Sequence, residues 1–261
     1  MTTGSTRTAI VTGSAAGIGF AIAQRLAADG MAVVVHGIEA EAVEDAAARI
    51  AQTTGAPVLT STADLRRHEG VAEVVDAAIA AFGRIDVVVG NAVVRHVAPI
   101  EAWTPEQWDD ALAVNLSSVF HLARLSIPGM RERGWGRILT LSSIYGARGE
   151  VDRIGYVTTK TALLGLTRAI AVETAGTGIT CNALSPGTVA TPAIVDKIDV
   201  MAADRGVDAA VVAREYVHAR HPTGEFVPIE DVAELAAYLC GPHSNAITGA
   251  TFPVDGGWGA R

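Results

Sequence analysis

Tyr156 and Lys160 stand four residues apart in an apolar helical pattern that runs on through Val157, Ala162, Leu163 and Leu166. That spacing puts both side chains on one helix face, with Cβ atoms roughly 5–6 Å apart. A phenol ordinarily titrates near pH ~10, too high to exchange protons readily at neutral pH, and a neighbouring ammonium favours the phenolate and lowers that value. Upstream, Ser143 follows the apolar run Ile138-Leu139-Thr140-Leu141, where a strand would stop. Open α/β sheets bind ligands beyond the carboxyl ends of their strands, so a hydroxyl there can hydrogen-bond a substrate oxygen. Together the three side chains could move a proton on and off an oxygen. A Tyr and a Lys at helical spacing also occur by chance, so the rest of the chain has to supply the setting.

That setting is a regular alternation of apolar runs and amphipathic helical patterns, which predicts stacked βα units and a parallel sheet. Strands are expected over 8–11, 32–35, 57–59, 87–89, 138–141, 180–184 and 250–254. Helices are expected over 17–28, 41–53, 68–82, 156–175 and 229–239, with one more from Pro105 past Asn115 toward Met130. Thr104 can cap that helix, and Pro105 suits its first turn. Residues 186–224 break the rhythm, with helical patches over 194–201 and 209–217. An insertion after a strand's C-terminal end is a natural substrate lid. With no linker, repeat or low-complexity segment, residues 1–261 read as a single doubly wound (Rossmann) α/β domain. Its parallel sheet should have about seven strands, with helices on both faces.

Composition agrees. Hydrophobic residues make up 49% and aromatics 5% of the chain, which suits helices packed on buried parallel strands. A formal net charge of −8 argues against a nucleic-acid footprint. Cys181 and Cys240 offer neither zinc spacing nor a disulfide framework and read as buried thiols, so no metal site is expected. The N-terminal MTTGSTRT lacks the apolar run of a signal peptide, and no stretch of about 18 apolar residues exists to span a membrane. A soluble, cytoplasmic protein is the expectation.

The segment Thr12-Gly13-Ser14-Ala15-Ala16-Gly17-Ile18-Gly19 follows the first strand and opens the first helix. Glycines there permit a tight turn, let a pyrophosphate approach the backbone and allow close helix–strand packing, while the helix N-terminus supplies free N–H groups. Its spacing is G-x-x-x-G-x-G. Together with Tyr156-x-x-x-Lys160, Asp64 after the third strand, Asn91-Ala92 after the fourth, Asn115-Leu116 in the next helix and Pro186-Gly187 with Thr191 after the sixth, it resembles the short-chain dehydrogenase/reductase family from residue 8 to 258.

The resemblance implies a nicotinamide dinucleotide. Gly13, Ser14, Gly17, Ile18 and Gly19 would surround the pyrophosphate, and Asp64 and Leu65 would contact adenine. Asn91 and Ala92 would line the path to the nicotinamide. Pro186, Gly187, Val189 and Thr191 would flank its carboxamide, while Lys160 would also bond its ribose. Tyr156 becomes the general acid/base, Lys160 its charged neighbour and Ser143 a partner for the substrate oxygen. Asn115 corresponds to a family member that holds a water between Lys160 and solvent. The family usually builds tetramers, with the Asn115 and Tyr156 helices paired across a two-fold axis, and His121 could face such a neighbour. At the end of the second strand stands His36-Gly37-Ile38, with Glu39 beyond and no cation to compensate a 2′-phosphate; NAD is expected over NADP. Val93 departs from the glycine that the family places there.

Within the family, Glu173-Thr174-Ala175-Gly176, Phe226-Val227-Pro228 and the ending from Val254 to Arg261 resemble the D-3-hydroxybutyrate dehydrogenases. That subgroup oxidises a small hydroxy acid. Where it carries polar carboxylate clamps this chain has Arg95, Tyr145, Arg153 and Lys197, beside His96 and Trp258. Arg offers a planar fork for carboxylate, phosphonate or sulfonate oxygens. The expected activity is therefore an NAD-dependent alcohol/ketone interconversion on a small anionic substrate. A 3-oxoacyl thioester reductase and, outside enzymes, a cofactor-binding regulatory protein are the alternatives.

Overall fold

The computed structural model describes residues 6–261; residues 1–5, on which part of the reading of the N-terminus falls, lie outside the described residues. The first half runs β1 (Thr8–Val11), α1 (Gly17–Ala28), β2 (Ala32–His36), α2 (Ala40–Thr54), β3 (Val58–Ser61), α3 (His68–Phe82) and β4 (Val87–Gly90). Then come α4 (Pro105–Leu112), α5 (Ser118–Glu132), β5 (Gly136–Leu141), α6 (Ile154–Glu173) and β6 (Ile179–Pro186). The chain ends with α7 (Pro192–Arg205), α8 (Ala209–His218), α9 (Ile229–Cys240) and β7 (Thr251–Val254).

The seven strands of the described residues pair in parallel in the order β3-β2-β1-β4-β5-β6-β7. Val33–Val35 and Val87–Val89 are continuous apolar runs because both sheet faces are covered. One face is packed by Ile22, Leu26, Val43, Ile50, Val232 and Leu239 from α1, α2 and α9. The other is packed by Val71, Val74, Leu122, Met130 and Ile170 from α3, α5 and α6. Each such side chain contributes about 1.5–3 kcal/mol relative to exposure. The chain is thus one doubly wound domain, and no described helix is long and apolar enough to cross a membrane. Strand order reverses between β1 and β4, and the crevice at their carboxyl ends is where such sheets bind ligands.

Helices α1 and α3 coincide residue for residue with the expectation. The helix expected from Pro105 toward Met130 is interrupted. Thr104 and Gln107 form a capping box at its start, but Ala113–Ser117 is a π-turn that separates α4 from α5. A 3.6-residue periodicity cannot reveal one such widened turn, and these turns concentrate at functional sites. Asn115 lies inside it.

Candidate active site

The carboxyl end of β5 and the first turns of α6 are locked together. The Ser142 hydroxyl donates to the Lys160 carbonyl at 2.8 Å, and that of Thr161 donates to the Gly146 carbonyl at 3.0 Å. A Cβ at Gly146 would lie 2.5 Å from the Ser142 Oγ, so the approach tolerates only glycine. Ser143 opens the short 3₁₀ turn Ile144–Gly146, and its Oγ accepts the Tyr145 N–H. Tyr156 and Lys160 rise from α6 into one cleft with Ser143 and all three are buried. The Lys160 ammonium donates to the Leu141 carbonyl and stands 5.5 Å from the Tyr156 ring centroid.

Burial pushes the Tyr156 phenol up. The charges of Lys160 and Arg95, with hydrogen-bonding contacts from Ser143 and Arg95, outweigh that and hold it below its ordinary value. Lys160 moves down as well, because burial penalises its ammonium more than the Tyr156 phenolate supports it. A phenol with an accessible phenolate and a hydroxyl beside it can accept and return a proton.

Asn115 acts on the neighbouring loop. Its Oδ1 accepts the Val94 N–H at 2.8 Å, and its Nδ2 donates to the Val94 carbonyl at 3.0 Å and to the Thr159 Oγ1 at 3.3 Å. The Asn115 side chain thus clamps the loop after β4 to α6.

The turn after β1 fills the crevice between β1 and β4. The Thr12 Oγ1 accepts the N–H groups of Asn91 and Ala92, and the Asn91 Nδ2 donates to the carbonyls of Thr12 and Gly13, all at 2.9–3.1 Å. A Cβ on Gly19 would sit 2.3 Å from the Gly13 carbonyl oxygen, and Gly13 itself has φ +64°. The glycines therefore let the turn fold tightly back on itself at the N-terminus of α1, where free N–H groups suit an anion such as a pyrophosphate. Ser14 departs from expectation. Its hydroxyl donates to the Val11 carbonyl and accepts the His36 N–H, and its own N–H bonds the His36 carbonyl, so its polar groups serve the turn.

From this turn the crevice runs two ways. On one side lie Gly13, His36, Asp64, Leu65 and Ala92. On the other, Ile18, Asn91, Pro186, Gly187, Val189 and Thr191 lead to Tyr156. Val93 borders both halves. An elongated two-ended ligand such as a dinucleotide fits this shape, and Gly17 lies against Thr191 at its centre.

A family model described as enoyl-(acyl carrier protein) reductase matches residues 13–259. D-beta-hydroxybutyrate dehydrogenases of Cupriavidus necator and Rhizobium meliloti are each 38% identical to the chain. The former aligns over 98% of both chains; the latter over 98% of this chain and all of its own. The chain belongs to the short-chain dehydrogenase/reductase family. Among solved structures, the L-sorbose reductase from Gluconobacter frateurii, complexed with NADPH and L-sorbose, superposes with a TM-score of 0.95 at 29% identity over 98% of both chains. As a member of this family the chain is an oxidoreductase.

The substrate side of this short-chain dehydrogenase/reductase differs in part from expectation. Arg95, Tyr145, Arg153 and Trp258 line the cleft with Tyr156. Tyr145 stacks edge-on against Trp258 at 5.5 Å and near Tyr156 at 6.2 Å. Burial and a hydrogen bond to Glu150 push the Tyr145 phenol up to about 12, so it stays protonated. His96 does not reach the cleft; its ring stands edge-on to Trp103 at 5.6 Å, and its Nε2 is buried without a partner. Lys197 does not either. It is exposed on α7, its ammonium 5.1 Å from the Tyr216 ring centroid, and Tyr216 is the side chain that faces the cleft. Sequence reasoning missed Tyr216. The Tyr216…Arg220 pair at i, i+4 in the lid patch was the available signal, and in the fold the Arg220 guanidinium lies 3.9 Å from the Tyr216 centroid.

Helices α7 and α8 carry their own small core of Ile198, Ala202 and Val212. Both ends of this segment meet at a single parallel bridge between Val189 and Val227. His221 tightens that base: its Nε2 accepts the Thr188 N–H at 2.9 Å, and its Nδ1 donates to the Glu225 carbonyl at 2.7 Å.

Proposed function

We propose that the chain is an NAD-dependent dehydrogenase that interconverts a secondary alcohol and a ketone on a small anionic substrate. A 3-hydroxy acid or a related carboxylate, phosphonate or sulfonate fits that description. One observation carries the reading: among the described residues three cations, Arg95, Arg153 and Lys160, and no carboxylate line the cleft that holds Tyr156. Arg forks grip tetrahedral or planar anions in two-point fashion. The 38% identity to two hydroxybutyrate dehydrogenases supports the same class.

In this reading the Tyr156 phenolate takes the proton of the substrate hydroxyl during oxidation and returns it during reduction. Ser143 donates a hydrogen bond to that oxygen, and Lys160 stabilises the phenolate. The nicotinamide, when bound, takes or supplies the hydride. Gly13, Gly17, Ile18 and Gly19 would hold the pyrophosphate through backbone and shape, Asp64 and Leu65 the adenine end, and Asn91, Ala92, Pro186, Gly187, Val189 and Thr191 the nicotinamide end. NAD is favoured because Arg66, which among the described residues is the one cation lining the adenine-side half, is paired with both Asp64 and Asp110. It is not free to compensate a 2′-phosphate. Residues 186–224 close over substrate as a unit hinged near the Val189–Val227 bridge.

A screen of hydroxy acids, hydroxyphosphonates, hydroxysulfonates and 3-hydroxybutyryl-CoA, followed by NADH or NADPH absorbance, tests the reading. Turnover only of uncharged alcohols or of the thioester, or only with NADP, would reject it. Arg153→Ala is expected to raise KM for an anionic ketone at least tenfold, about 1.4 kcal/mol, while barely altering KM for a neutral ketone. Equal changes on both would remove Arg153 from the substrate site. We further place the chain in the cytoplasm as a homotetramer, with the exposed Phe120 of α5 and Val172 of α6 supplying apolar contact area. Light scattering should give four times the 26.9 kDa chain mass; a monomer would end that part of the proposal.

A further inference from the structure

Tyr156 has a second basic neighbour that the Tyr-x-x-x-Lys spacing does not contain. Arg95 leaves the loop after β4 and places its guanidinium carbon 5.3 Å from the Tyr156 ring centroid, about as close as the Lys160 ammonium at 5.5 Å. The loop cannot drift away from this position, because Asn115 holds the Val94 backbone by both its N–H and its carbonyl. The two cations differ in kind. Lys160 is almost fully buried and its ammonium is penalised by that burial, with the Arg95 charge pressing in the same direction. Arg95 is exposed, and a guanidinium is a permanent charge where an ammonium can be deprotonated by burial.

We propose that Arg95 is a positioning residue for proton transfer, a permanent cation that shares with Lys160 the task of holding Tyr156 as phenolate. The assignment deepens the reading of Tyr156 as the acid/base, and it differs from a role for Arg95 in gripping substrate alone. The other titratable groups facing Tyr156 do not compete for this task. Tyr145 of the 3₁₀ turn stays protonated to about 12, Arg153 and Tyr216 also line the cleft, and among the described residues no carboxylate lines it.

The test needs neither cofactor nor substrate. The phenolate absorbance of the native chain, minus that of Tyr156→Phe, isolates one of four tyrosines and gives its titration midpoint. An opposite charge a few ångströms from an ionising group shifts it by about 1–3 pH units. Exposure of Arg95 points to the lower end. In Arg95→Gln the Tyr156 midpoint should therefore rise by about one pH unit, and Arg95→Lys, which keeps the charge, should recover most of that displacement. Where a substrate is in hand, the acidic limb of kcat/KM for oxidation should move by the same amount. A Tyr156 midpoint unchanged in Arg95→Gln would overturn the proposal. So would equal displacement in the Gln and Lys variants, since charge would then not be the cause. If the substrate screen found no turnover, the proposed function would fall while this titration still decided the role of Arg95.

Discussion

Tyr156→Phe is expected to lower kcat about 10²–10⁴-fold, the usual worth of a positioned acid or base, with dinucleotide affinity unchanged. The substitution removes one oxygen and leaves a ring of the same shape at a buried position. The backbone of the turn after β1 and of the Pro186–Thr191 wall is left in place, so the cofactor crevice should keep its form. Steady-state kinetics beside a fluorescence titration with dinucleotide separate the two effects. Turnover within a few-fold of the native chain would remove Tyr156 from the chemistry. Loss of dinucleotide binding would instead show that the hydroxyl organises the crevice.

In the proposed mechanism the same phenol sets the pH dependence. Oxidation would then require the phenolate, so kcat/KM for the alcohol should be present above the folded-state titration point of Tyr156 and be lost as pH falls through it. Burial alone would place that point above the ordinary phenol value, but the charges of Lys160 and Arg95 reverse the displacement. The oxidation limb should therefore lie below the ordinary value of a free phenol. Reduction should show the mirror image and fade as pH rises through the same point.

Much of this was legible in the residue order because the signals are local. A glycine-rich turn between a strand and a helix needs only its own backbone geometry, and a four-residue spacing on a helix places two side chains whatever surrounds them. The fully buried Val33–Val35 and Val87–Val89 read as strands for the same reason. What escaped depends on partners far away in sequence. Ser14 could not be seen to turn inward without knowing that His36 lies beside it. The commitment of Asn115 to Val94 arises from a π-turn that periodicity does not record. His96 stands one residue beyond the cleft-lining Arg95 and Lys197 three residues beyond the cleft-lining Ile194, and only the packing against Trp103 and Tyr216 shows that neither enters.

At the opposite end of the sheet from the cleft, Asp86→Ala is expected to destabilise the fold by about 3 kcal/mol, the low end for breaking a buried ion pair, while leaving kcat and KM unchanged. Asp86 is fully buried. Its Oδ2 accepts the Thr8 N–H at 3.0 Å and the Arg84 Nε at 2.6 Å, and its Oδ1 accepts the Arg84 Nη2 at 2.7 Å and the Arg133 Nε at 3.3 Å. One carboxylate therefore joins the start of β1, the entry to β4 and the end of α5. Removing it takes away the carboxylate that Arg84 and Arg133 share and leaves a strand N–H that has lost its acceptor, and that asymmetry is what makes deletion costly. Arg84 and Arg133 keep some access to water, which is why the low end applies. Thermal unfolding should shift downward by on the order of 10 °C. The chemistry should survive because the groups assigned to it stand near the carboxyl ends of the strands, a strand's length of packed valines away. A change in KM or in the pH limb without a loss of stability would mean that the two ends of the sheet are coupled, and that the cleft is held by more than the contacts that line it.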